Sequence, residues 1–493
     1  MAEAADAAAS GAPAPPGGHA EMVSTGRFLQ LFSAVMVPMF LAVADQTLLA
    51  TATPRIAQDL GGLRDTTWIA LGYMIAMTVT APLYGRLGDR YGRRDMLLLA
   101  MGLFALGSAA CGMAQALWQL IAARVVQGLG GGGLIVLSQA LVGELVPPRQ
   151  RARFQGYFAT NFSLASIGGP IIGGLVVQHA SWRWLFLANL PLCVVAAWRL
   201  RRLSQQHQLE QRAPLNDIGG AVLFALAASV SLIWVSFAGH RFAWLSAASL
   251  ALLAAAAALW WVLVRRERQR KDPFLPVELL REPAIVPMTL SVVCFGAAMF
   301  SLVFFLPIFL QLGRGHGARE AGLLLLPVTL GIVAGSTTTG RLIARFGRPA
   351  LMPMTGLCIA GSALLLMALL PLQPSLLTAL GLLCGVGLGS VMPTAQIVVQ
   401  WVAGRERLGA ATSLVTLSRA TGASLGTACF GAVVFALLPS LGSAPLDAAG
   451  RAATGLADAS GQTVFAFRVA FAGAALVAFL GAFSASRIRS LRI

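Results

Sequence analysis

Runs of about eighteen or more mostly apolar residues recur along nearly the whole chain, separated by short breaks rich in arginine. Wound as a helix, such a run covers about 27 Å, close to the ~30 Å hydrocarbon core of a bilayer. Only 11% of the 493 residues are charged and 57% are hydrophobic, whereas a soluble domain carries roughly 25% charged residues. Mean hydropathy is +0.76. In lipid the backbone has to satisfy its own hydrogen bonds, so only helices or closed barrels can cross. Barrel strands would alternate over about ten residues, and no such alternation occurs. The expected fold class is an all-α polytopic membrane protein.

Apolar windows and their breaks predict about fourteen transmembrane helices. Every second break is strongly basic, as in "GRLGDRYGRRD", "PPRQRARF", "RRERQRKDPFLPVELLR" and "GRERLG". Basic loops stay on the cytoplasmic side, so both termini are expected there. Residues 1–27, rich in Ala, Pro and Gly and lacking a basic start, read as a disordered cytosolic tail rather than a cleaved signal.

The net charge of +17 would suit nucleic acid if it formed one patch. Its dispersal among the breaks excludes that reading. The six cysteines lie in apolar runs without metal-ligand or paired spacing, and read as small buried hydrophobes. The five histidines fall in tails or loops, which removes the usual proton carrier from the membrane interior. One acid, Asp45, sits deep in an apolar run. A charge there costs roughly 2.5–3.5 kcal/mol on insertion scales, unless the group is neutral or paired.

Two breaks resemble each other. "GRLGDRYGRR" starts at Gly85 and "GRLIARFGRP" at Gly340, and six of their ten positions are identical. Their separation exceeds six spans and fits eight. The chain therefore divides into a six-helix bundle (28–203), an inserted helix pair with flanking loops (204–283, spans near 217–238 and 244–264) and a second six-helix bundle (284–493). Internal duplication is typical of secondary transporters, which bind cargo near the midplane between repeats.

With these motifs in hand, the chain resembles the fourteen-span drug:proton antiporter branch of the major facilitator superfamily over about residues 28–490. "VADQTLLATATPRI" (43–56) is similar to the first-span motif with its D-x-T core. "GRLGDRYGRR" (85–94) matches the superfamily loop motif, "LIAARVVQGLGGGG" (120–133) the fourth-span R-x-x-Q-G pattern, and "GGPIIGG" (168–174) the antiporter motif. "WRWLFLANLP" (182–191) and "DPFLPVELL" (272–280) resemble the fourteen-span branch in particular. Two departures stand out: Ala165 where the antiporter motif usually opens with glycine, and Ala344 in the second loop at the position of Asp89.

The resemblance implies roles for individual residues. Asp45 would be the proton-coupling carboxylate, sharing one cavity with cargo, and Arg124 would face that cavity and influence proton movement. A neutral Asp45 bonded to a neighbouring span and an Arg124 reaching outward to the interface are the structural alternatives. Gly85, Asp89, Arg90, Gly92 and Arg93 would form a cytoplasmic gate, with Arg419 as a partner for Asp89 from the other half. Gly169, Pro170, Gly173 and Gly174 would bend span five and seal the cavity, although close packing explains the glycines equally well. Gln46, Trp68, Tyr73, Asn161, Phe304, Gln311 and Gln396 are candidate cavity residues.

The function expected is proton-coupled export of hydrophobic small molecules, cationic ones included, by alternating access at a bacterial inner membrane. The alternative is an exporter of a lipid, fatty acid or other specific metabolite on the same fold. No P-loop appears, so a proton gradient is the energy source, and no metal or other cofactor is expected. Expected partners are the cargo, protons and membrane lipids; nucleic acid is excluded, a periplasmic adaptor is left open, and a monomer is taken as the working unit. An intramembrane enzyme would need a histidine or a carboxylate pair at depth, and a channel or sensor would leave the duplication unexplained.

Overall fold

The computed structural model describes residues 25–61, 67–146, 148–202, 217–237, 245–270, 274, 277–310, 325–347, 349–370, 373–404, 407–437 and 460–488. The expected tail lies outside these residues up to position 24. All the described regular structure is helical. In chain order the helices are α1 (Thr25–Leu60), α2 (Thr67–Tyr91), α3 (Arg93–Met113), α4 (Leu117–Leu145), α5 (Pro148–His179), α6 (Arg183–Leu187), α7 (Asn189–Arg201), α8 (Ile218–Phe237), α9 (Ala247–Gln269), α10 (Ile285–Ile308), α11 (Leu326–Phe346), α12 (Leu351–Leu369), α13 (Pro374–Gly389), α14 (Val391–Ala403), α15 (Leu408–Leu437) and α16 (Ser460–Ser486). Ten of the described helical segments are long and apolar enough to cross a membrane.

Two apolar runs read as single spans, near 184–203 and 374–400, each form one candidate span, Arg183–Arg201 and Ser375–Ala403, interrupted at a single residue: α6 stops at Leu187 before α7, and α13 at Gly389 before α14. Each break lies four residues before a proline, Pro191 and Pro393. Proline lacks the N–H that would bond the carbonyl four residues back, and its ring crowds that carbonyl. The helix restarts with the proline at its third position.

In the first half α4 packs between α2 and α3, α1 lies on α5, and α7 closes against α1 and α3. In the second half α13 packs on α11 and α12, α10 lies on α15, and α16 closes against α10 and α12. The halves meet along α2–α15 and α5–α11. Close approach onto α4 depends on glycine. A Cβ at Gly128 or Gly132 would collide with backbone of α2, and one at Gly130 with backbone of α3.

The chain between the halves forms a helix pair. α8 and α9 pack on each other, and α8 also touches α2 and α15. Phe224, Leu263 and Phe274 form an apolar cluster that takes in Val79 and Leu83 of α2 and Leu417 of α15. The pair therefore sits over the seam where the halves meet.

Candidate functional site

Asp45 is not a solitary charge. It lies on α1 with 3% of its surface exposed and is ion-paired through Oδ2 with Nη1 of Arg124 on α4. Its Oδ1 accepts from Gln127 Nε2 at 2.9 Å and Asn189 Nδ2 at 3.3 Å. Both amides also donate to Ser108 Oγ on α3, at 2.7 and 3.3 Å. Arg124 donates further to Gln127 Oε1 at 2.6 Å and to the Ile69 carbonyl at 3.3 Å. Its guanidinium carbon lies 4.2 Å from the ring centre of Tyr73, whose hydroxyl donates to the Ala42 carbonyl at 3.2 Å. Five helices thus surround one neutral ion pair.

Arg124 and Gln127, three residues apart, share one face of α4, and both belong to the R-x-x-Q-G pattern. Asn189 begins α7 at the proline break and lies inside "WRWLFLANLP". Both stretches are motifs, but neither Gln127 nor Asn189 stands out within them by charge. Nothing in the sequence signals Ser108. Arg124 is 1% exposed, which overturns the alternative of a side chain reaching outward: its partner is inside.

Asp89, near the end of α2, receives two bonds from Arg93, from Nη2 at 2.5 Å and Nε at 3.2 Å. Across the seam it accepts backbone N–H bonds from Gly409 at 2.8 Å and Ala410 at 2.9 Å. These N–H groups open α15, where unsatisfied donors and the helix dipole favour an anion. Arg93 also binds Glu144 Oε2 at 2.6 Å, which ties the end of α4 to the lock. Gly85 and Gly409 touch back to back, since a Cβ on either would strike the other's carbonyl. Gly92 joins α2 to α3 with a φ of 97°, and Gly347, its counterpart in the second loop, has a φ of 63°. Both values lie where L side chains are strained. Arg90 occupies the last turn of α2.

Arg419 does not serve this lock. It sits eleven residues along α15, about 16 Å from the helix start at 1.5 Å per residue, too deep to reach Asp89. Instead it lines a narrow cleft at the seam with Met77 and Thr78 of α2, Gly132 and Ile135 of α4, and Thr416 of α15. Asp45 is not among the residues around this cleft. Gln46 connects the two regions by donating to Met77 Sδ at 3.1 Å.

Most other cavity candidates are engaged between helices. Trp68 packs on Phe237 of α8, with ring centres 4.9 Å apart, so it seats the α8–α9 pair and is not among the residues lining the cleft. Tyr73 is fully buried beneath Arg124. Asn161 of α5 donates to the Met36 carbonyl of α1 at 3.0 Å. Gln396 of α14, also fully buried, donates to Gln139 Oε1 of α4 at 2.6 Å and so joins the halves. Gln311 and the side chains of Phe304 and Pro170 lie outside the described residues. Gly169 faces Thr47, whose hydroxyl donates to the Ala165 carbonyl at 2.9 Å. Gly173 is buried, and Gly174 faces open space.

A family model, Major Facilitator Superfamily, matches residues 35–217 and 215–427. The chain belongs to the Major Facilitator Superfamily. It is therefore a multi-pass membrane transporter rather than an enzyme. The multidrug transporter protein MdtP of Bacillus subtilis is 33% identical over 436 residues, covering 86% of this chain and 80% of that protein. Multidrug resistance protein 3 of the same organism is 29% identical, covering 81% and 78%. An MFS-type transporter of Mycobacterium tuberculosis is 34% identical over 82% of this chain, which spans 59% of that relative's length. Among solved structures, the human organic anion transporter MFSD10 superposes with a TM-score of 0.64 at 17% identity, over 93% of this transporter and 99% of that chain. The proton:xylose symporter XylE gives 0.58 at 12%, over 92% and 95%. At such identities these two likenesses speak for the fold alone.

Proposed function

We propose that this transporter is a proton-coupled exporter of hydrophobic small molecules, of the multidrug type, working by alternating access. The observation that carries the reading is the lock at the seam. A carboxylate of one half is held by a helix N-terminus of the other, through bonds that can break and re-form as the halves rock. The names of its Bacillus relatives support the cargo class. The recurrence of the same helix pairings in both halves supports two six-helix repeats, with α8 and α9 inserted and fourteen spans in all. The basic breaks support cytoplasmic termini; the bacterial inner-membrane location remains part of the same proposal.

Asp45 is the group we assign to proton coupling, with Arg124 as its counter-charge. In this conformation the proton competes with Arg124 for the carboxylate rather than with cargo. Protonation would release the guanidinium and loosen the joint among α1, α3, α4 and α7. A net charge crossing ~100 mV yields about 2.3 kcal/mol, enough for roughly a 50-fold gradient.

Proteoliposomes holding the purified transporter test this reading. An imposed pH gradient should drive efflux of a hydrophobic fluorescent dye, and Asp45→Asn should abolish the dependence on the gradient. Dye movement that ignores the gradient and survives that substitution would overturn the coupling.

A further inference from the structure

The cleft between the halves carries an unbalanced charge. Among the described residues around it, Arg419 carries the charge, and no ion pair or hydrogen bond engages its side chain. Its guanidinium carbon lies 5.8 Å from the centre of the Phe300 ring of α10. That is close to the outer limit of an effective cation–π contact. Arg93 and Arg124 both have carboxylates; Arg419 has none among the described residues.

Arginine cannot discharge in a protein, and an unpaired cation at membrane depth is costly enough to mark a pathway or a ligand. The other surfaces around the cleft are apolar or hydroxyl-bearing: Met77, Ile135 and Leu417 beside Thr78 and Thr416. A guanidinium fork next to an oily wall is complementary to a molecule with an anionic head and a hydrocarbon body. A cationic cargo would meet repulsion at the same place. We therefore propose that Arg419 is the recognition residue for the carboxylate of an amphipathic organic anion, a single aliphatic chain being the simplest case. This rests on the reading of the chain as an exporter and narrows its cargo. The cleft has a free volume of about 20 Å³, room for about one water molecule, so cargo reaches Arg419 only when α2 and α15 part.

The test uses the full chain in phosphatidylcholine nanodiscs and three probes of equal chain length: dodecanoate, dodecyltrimethylammonium and dodecanol. Wild-type protein should bind dodecanoate at least about tenfold more tightly than the cation. Arg419→Gln should weaken dodecanoate by about tenfold or more while changing dodecanol by less than about twofold, and Arg419→Lys should retain much of the affinity. Equal binding of anion and cation by the wild type, a comparison that needs no variant, would overturn the proposal. Unchanged dodecanoate binding by a monodisperse Arg419→Gln protein would do the same. Phosphatidylglycerol in the nanodisc should not displace dodecanoate; full displacement would make the occupant a lipid phosphate and overturn the carboxylate assignment. Transport in proteoliposomes separates the two readings. Dodecanoate bound through Arg419 but never moved would defeat export and leave the site standing. Gradient-driven efflux of the cation that is equal in wild type and Arg419→Gln would defeat the site and leave export standing.

Discussion

Asp45 and Arg124 each remove the reason the other would be intolerable in an apolar bundle, so their effects should be strongly coupled. Breaking a buried pair by removing one partner costs about 3–5 kcal/mol, because the remaining charge is stranded. Asp45→Asn and Arg124→Gln should each lower the thermal unfolding midpoint of the purified transporter substantially. The double variant should lose less than the sum of the two, while gradient-driven transport stays absent in all three. Additive losses would mean that the pair contributes nothing as a pair. Part of this centre was legible beforehand. Asp45 stood out because it alone lay deep in an apolar run, and Arg124 because its charge is permanent. That they bind each other was not legible, since 79 positions separate them and nothing local aligns α1 with α4. Ser108 was invisible for a simpler reason: a serine in a membrane helix usually bonds its own backbone, and only its neighbours make it part of a network.

The seam between α2 and α15 joins the two halves, and the proposed alternating access would have to open it. Asp89 is an anion resting on the first N–H groups of α15, and hydrogen bonds to charged groups contribute about 1.5–3 kcal/mol each. Asp89→Asn should therefore favour the state open at this end. A cysteine placed at Thr416, in a background lacking the exposed Cys358 and Cys429, should then react faster with a reagent added from the basic-loop side. Gly85→Val should act in the same direction by a different route, because its side chain has no room against the Gly409 carbonyl. Unchanged labelling in both variants would show that the seam does not gate access. The loop motif marked Asp89 as a gate residue from sequence, but Arg419 was the wrong partner. Charge complementarity suggested an arginine; the helix N-terminus that holds the carboxylate consists of backbone groups, which have no letter in the sequence. The one-residue interruptions within two spans carried a readable signal in Pro191 and Pro393, while hydropathy marks each run correctly as one span.

For the whole molecule, alternating access requires the halves to separate where they now touch. Gln139 and Gln396 meet across that boundary, so Gln139→Cys with Gln396→Cys, joined by a short reducible linker in the same cysteine background, should block transport. Adding reductant should restore it. Transport that proceeds in the cross-linked protein would rule out separation at this point. The α8–α9 pair lies over the same seam, held by Phe224 and Trp68, and Trp68→Ala should loosen α8 without disturbing the Asp45 centre. The sequence alone determined that this chain is a helical membrane protein with a duplicated loop and a deep acid, because hydropathy, charge placement and repetition are properties of the order of residues. Only the tertiary structure decided that the acid is neutralised by Arg124, that Asp89 rests on a helix end, and that Arg419 has no counter-charge among the described residues at the cleft. Electrostatic partnership depends on distances of a few ångströms between segments far apart along the chain, and those distances exist only once the helices are packed.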